Sequence, residues 1–272
     1  MRVITSPLKL LIYNAIDCTW ETGDVNAGLP YPNHRCGACF MPKLLAVLTL
    51  IASVAFAASP LWVPDFGGFN PEQFPYPQLN APVQPAGYAF AIWGLIFTWL
   101  VVACAYGLWA RADDANWSAM RPALLVSLAI GAAWLPIATL SPIWATILIW
   151  LMLVSSLVAL FRSPRVDQAW ASWPIGLYAG WLSAASFAGV GLLLAGYGWT
   201  SQTTAAWVCV GLASVLGFGF QWRLARAPTY GIAVIWALVA IAARNDFAMN
   251  SVAPLALIGS IALLWPILRA AR

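Results

Sequence analysis

Residues 85–109 read PAGYAFAIWGLIFTWLVVACAYGLW, a stretch with no charged side chain. As a helix rising about 1.5 Å per residue, residues 87–110 are long enough to cross the hydrocarbon core of a bilayer. The rest of the chain repeats the pattern. Apolar runs recur at 42–58, 121–140, 141–161, 173–195, 203–222, 229–243 and 251–268. With 62% hydrophobic and 8% charged residues, the chain falls far below the roughly 25% charge of soluble domains. Alternating ten-residue strands, the mark of a membrane barrel, are absent. The expected fold class is therefore an all-α polytopic membrane protein of about eight transmembrane helices.

Basic residues orient the runs. Lys43, Arg111, Arg121, Arg162, Arg165, Arg223, Arg226, Arg269 and Arg272 fall on one side of an eight-span chain, and Arg244 alone on the other. Such asymmetry predicts cytoplasmic termini, in a bacterial inner membrane. The first run, ending near Ala55-Phe56-Ala57, also has the form of a cleavable signal peptide, which would leave the orientation unchanged. Scattered between apolar runs, these cations form no patch for nucleic acid.

Residues 1–40 differ from the remainder. They are polar, and His34, Cys36 and Cys39 with Cys18 are the only set with zinc-ligand chemistry, at a poor spacing. Because Met41-Pro-Lys makes a sensible start, the segment reads as a disordered tail or upstream translated sequence, and no metal site is assigned. Cys104 and Cys209 lie within apolar runs as packing residues.

With Lys43 and Arg121 at the edges of the first and third runs, no Asp, Glu, Lys, Arg or His lies inside any run. Ion-coupled carriers need such groups, so the expected activity is not ion-coupled. Catalytic residues are not assigned. What remains is aromatic surface: Trp99, Trp134, Trp150, Trp181 and Trp236 fall near the middle of five runs. They either fill space between helices or line a cavity for a flat, hydrophobic ligand. At the midplane the Trp99 N–H needs a partner on a neighbouring helix or a bound molecule. In the fifth run Gly176, Gly180, Ala184 and Ala188 form a small-xxx-small stripe suited to close helix approach, within the chain or in a homodimer.

After a loop at 59–86 rich in proline, the second run opens Pro85-Ala-Gly-Tyr88-Ala-Phe90-Ala-Ile-Trp93, and the fifth contains Tyr178-Ala-Gly-Trp181-Leu-Ser183-Ala-Ala185-Ser186-Phe187. These segments resemble the second- and fifth-helix motifs of the tryptophan-rich sensory protein, or translocator protein (TspO/MBR), family. Trp134 is similar in place to the family's third-helix tryptophan. Departures are Ala86 and Tyr88 where the family has proline and tryptophan, one residue fewer between Phe90 and Trp93, and Gly189 where it has asparagine. The resemblance covers residues 42–195. It implies a TspO-like five-helix bundle (41–196), which leaves the tail (1–40) and three additional C-terminal helices (197–272) without counterpart in the five-helix members, as in a divergent, extended branch. It further implies that a porphyrin, haem-type tetrapyrrole or sterol binds under the first loop, as ligand and not as a required cofactor. By residue matching, Tyr88, Phe90, Trp93, Phe97, Trp134, Tyr178, Trp181 and Ala185 would line the site. Binding, sensing or transport is the leading expectation. A porphyrin-degrading enzyme, which the family's links suggest, and an assembly subunit without a small ligand remain the alternatives.

Overall fold

The computed structural model describes residues 40–63 and 67–271. Cys18, His34, Cys36 and Cys39 lie outside the described residues. Eight α-helices follow in order: α1 (Phe40–Ala58), α2 (Ile92–Ala110), α3 (Ala115–Leu140), α4 (Pro142–Arg162), α5 (Ser172–Gly196), α6 (Gln202–Leu224), α7 (Thr229–Arg244) and α8 (Ala253–Ala271). Among the described residues there is no strand. Among the described residues seven helices are long and apolar enough to cross a membrane, and α7 is shorter. The protein is a polytopic α-helical membrane protein.

Helix ends follow local chemistry. The Asp114 carboxylate accepts from the Asn116 and Trp117 amides to start α3, and Ser141 caps α4 ahead of Pro142 at its first position. Capping by Asp114 places Arg121 well inside α3. This corrects the expectation that no Asp, Glu, Lys, Arg or His lies inside a run. Arg121 is 2% exposed, and its guanidinium donates to the carbonyls of Gly107 (2.9 Å), Arg111 (2.7 Å) and Ala112 (2.8 Å). It thus serves the C-terminal carbonyls of α2, which lack partners within their own helix, and places a cation at the negative end of that dipole.

Helix α5 is the axis. Nearly every residue in it is buried, so it has no lipid face. Two rings of helices share it. In the first, α5 packs on α4, α4 on α3, α3 on α1, α1 on α2, and α2 returns to α5. In the second, α5 packs on α6 and α7, and both pack on α8. Each ring is tied to α5 by a buried hydroxyl pair: Tyr178 with Ser127 and Tyr230 with Ser183, both at 2.9 Å.

Polar contacts gather the basic loops at one end. Lys43 pairs with Asp113 at 3.3 Å and Arg111 with Asp167 at 2.7 Å. The Asp167 hydrogen bond and charge raise the pKa of the Arg111 guanidinium. Arg226 donates to the Leu160 and Phe161 carbonyls at the end of α4, where desolvation and the charge of Arg165 lower its pKa. The first loop occupies the opposite end.

Candidate ligand-binding site

The α5 small-residue stripe sets up the site. A Cβ on Gly180 would collide with the Tyr230 carbonyl, and one on Gly176 would lie 2.7 Å from Thr229 Oγ1. These glycines let α7 seat against α5, backbone to backbone. Ala184 and Ala188, further along the stripe, instead face an open space. The whole stripe is buried within the chain and offers no free face to a second copy.

That space is a cavity of about 80 Å³ at the loop end of the bundle. Trp181, Ala184, Ala185, Ala188, Gly189 and Leu192 of α5 form one wall, with Thr146 and Ile149 of α4 beside them. Ala237 and Ile241 come from α7, Trp134 from α3 and Trp93 from α2. Phe90, in the 3-10 turn Gly87–Ala91 that precedes α2, faces Trp181 edge-on at 5.8 Å. Gly68, Phe69, Gln84 and Pro85 of the first loop complete the lining. A second cavity of about 240 Å³ lies against Phe56, Pro60, Val63, Phe97 and Leu135. Phe90, Trp93 and Trp134 line both and form the partition between them. Trp93 stacks on Phe97 at 5.1 Å and meets Trp181 edge-on at 6.2 Å. No lining residue of either cavity is ionisable.

The first loop and the turn after it are fixed above the site by hydrogen bonds to α3, α5, α7 and Asn245. Gln73 donates to the Ala138 and Thr139 carbonyls at the end of α3, and the Tyr76 amide donates to Gly196 of α5 at 2.9 Å. Asn245 donates to Pro82 at 2.9 Å. On α7, the Ala86 amide donates to the Ala240 carbonyl at 3.0 Å and Trp236 Nε1 to the Ala89 carbonyl at 3.0 Å. The turn that leads into α2 is thereby fastened to α7 beside the cavity.

Of the residues singled out in the sequence, Phe90, Trp93, Trp134, Trp181 and Ala185 meet around the inner cavity. Phe97 lines only the outer one. Tyr178 lines neither; it is fully buried behind Trp93, 6.5 Å ring to ring, with its hydroxyl on Ser127. Tyr88 is 53% exposed and lies edge-on to Trp236, away from both cavities. The mid-run tryptophans do not form one aromatic lining. Trp99 donates to the Ala169 carbonyl in the loop between α4 and α5, Trp150 packs on Phe187, and Trp236 is 39% exposed on α7. Trp134 and Trp181 are the two that reach the inner cavity.

A family model described as TSPO-like protein matches residues 43–269. The chain belongs to the TSPO-like protein family. No curated protein and no solved structure matches it. The TSPO-like match runs from α1 to α8, beyond the five helices that carry the motifs, and α7 contributes Ala237 and Ile241 to the cavity. Sequence reasoning passed over those two residues, together with Thr146, Gln84 and Phe69. Only Gln84, a polar residue in a proline-rich loop, carried a signal of its own. As a TSPO-like protein, the chain is in general terms a membrane ligand-binding or sensing protein.

Proposed function

We propose that this chain binds a flat, hydrophobic ligand of the tetrapyrrole or sterol-like class and senses or moves it without ion coupling. One observation carries the reading: an aromatic cavity with no ionisable lining group, fixed beneath the first loop and bordered by a second, larger cavity. Apolar burial and edge contacts from Phe90, Trp93 and Trp181 supply affinity for a ring system. Coupling to a proton or cation would need a titratable group in the path, and the lining residues provide none. A macrocycle extends past the partition, so Trp93 and Phe90 turn aside as it binds and the two spaces join.

The basic end faces the cytoplasm on this reading, following the excess of Lys and Arg there. A cysteine placed at Asp113 in whole cells should resist a membrane-impermeant thiol reagent until the cells are opened. Labelling in intact cells would reverse the orientation.

The function is tested by titrating metal-free protoporphyrin and haemin into purified protein. Binding is expected in the micromolar range, about −8 kcal/mol. Trp181→Ala should weaken it about tenfold or more, because a stacked ring and its buried area are both lost. Trp265→Ala, on an exposed ring of α8, should change little. Equal loss from both variants, with folding intact, would place the ligand elsewhere.

A further inference from the structure

Two buried polar atoms at the inner cavity have no hydrogen-bond partner. Trp181 Nε1 belongs to a side chain 2% exposed, and Thr146 Oγ1 to one 5% exposed; both residues line the cavity. Ser59, Gln78, Trp173, Ser186 and Arg226 also carry a buried atom without a partner, but none of these residues lines either cavity. Several comparable groups in the bundle are satisfied. The indoles of Trp99, Trp134 and Trp236 each donate to a backbone carbonyl, and the buried Ser127 and Ser183 hydroxyls are bonded on both sides. An orphan buried polar atom is costly to keep, and these two belong to side chains that line the cavity, where a bound molecule could serve them. Gly189 keeps the second of them clear, since a Cβ there would stand 3.1 Å from Thr146 Oγ1. Trp181 and Gly189 are eight residues apart, so the two donors mark positions about 12 Å apart along α5.

We propose that these groups, the Trp181 indole above all, are specificity groups that each take a separate uncharged acceptor oxygen, such as a ketone, ester or quinone carbonyl, on the part of the ligand that enters the inner cavity. This rests on the reading of the cavity as the ligand site and narrows what it takes. An indole N–H can only donate, so it selects for an acceptor. With no cationic side chain in the lining, a carboxylate brought inside would lose its hydration without a counter-charge. Acid groups on a larger ligand therefore stay outside the partition.

Three probes on one planar skeleton test this: anthracene, anthraquinone and anthraquinone-2-carboxylate, measured by equilibrium dialysis against the full chain in detergent. The variants are Trp181→Phe, which keeps a ring and removes the N–H, Thr146→Val, which keeps the shape and removes the hydroxyl, and the two combined. Wild type should prefer anthraquinone to anthracene by about fivefold or more after correction for detergent partition. The double variant should lose that preference, any loss of ring contact from Trp181→Phe falling equally on anthracene and anthraquinone, and the carboxylate should bind weakest to every form. The single variants then show which donor carries the effect. If anthracene and anthraquinone bind wild type equally, or the preference survives the double variant, the donors are served by water or ring faces and the acceptor rule is wrong, although the cavity still binds ligand. If no probe binds and porphyrin titration also fails, the site reading itself falls, and this inference with it.

Discussion

The two halves of the α5 stripe have the same chemistry and opposite outcomes. The Thr229 hydroxyl at Gly176 and the Tyr230 backbone at Gly180 lie so close that no side chain would fit, and the helices are sealed. At Ala184 and Ala188, two turns further on, the same small surface faces an empty space. The partner makes the difference. Near Gly180 the Tyr230 backbone occupies the groove. Toward the loop end, the turn Gly87–Ala91 is held against α7 through Ala86–Ala240 and Ala89–Trp236, and its Phe90 lines the cavity together with Ala237 and Ile241 of α7. Small residues permit close approach; whether they produce a seam or a pocket depends on what else is pinned nearby.

The sharpest way to break this contrast is to add atoms on the sealed side. Gly180→Ala should cost about 1–3 kcal/mol of stability, because the new methyl meets backbone and not a flexible side chain. Unfolding in a denaturing-detergent titration measures it. A neutral result would mean that α5 and α7 have slack the packing does not suggest. Adding more atoms on the open side should do the reverse. Ala188→Leu fills the inner cavity, so stability should stay within about 1 kcal/mol while porphyrin affinity falls about tenfold or more. Unchanged affinity in a folded Ala188→Leu protein would separate the ligand from this half of the stripe.

Much of this arrangement is legible in the sequence, for reasons that can be named. Long uncharged runs and one-sided cations give helix number and alternation, since a bilayer leaves few other choices. Arg121 was misplaced because a charge was read as a boundary; the Asp113-Asp114 pair ahead of Ala115 was the better start signal, being an N-cap. Trp99 needed a partner and has one, in a loop carbonyl at Ala169 that no local pattern announces. Ala237 and Ile241 are ordinary apolar residues, visible as lining only once α7 is known to lie on α5. The orphan donors are likewise invisible in one dimension, because hydrogen-bond satisfaction belongs to the packed state.

The smallest expected effect is at Tyr88, where motif matching and geometry disagree. The motif places an aromatic at this position in the ligand site, yet Tyr88 stands two residues before Phe90. That spacing turns it roughly 200–240° about the axis in either an α- or a 3-10 helix. Phe90 and Trp93, three apart, share the cavity side, and Tyr88 faces outward onto Trp236. Tyr88→Ala should therefore change porphyrin affinity by less than about twofold. The lost edge contact with Trp236 should cost stability on the order of 1 kcal/mol. Parallel titration and unfolding of this variant separate the two effects. A tenfold loss of affinity with stability intact would move the ligand out of the inner cavity, onto the face where Tyr88 meets α7, and the open half of the stripe would then be an unused space.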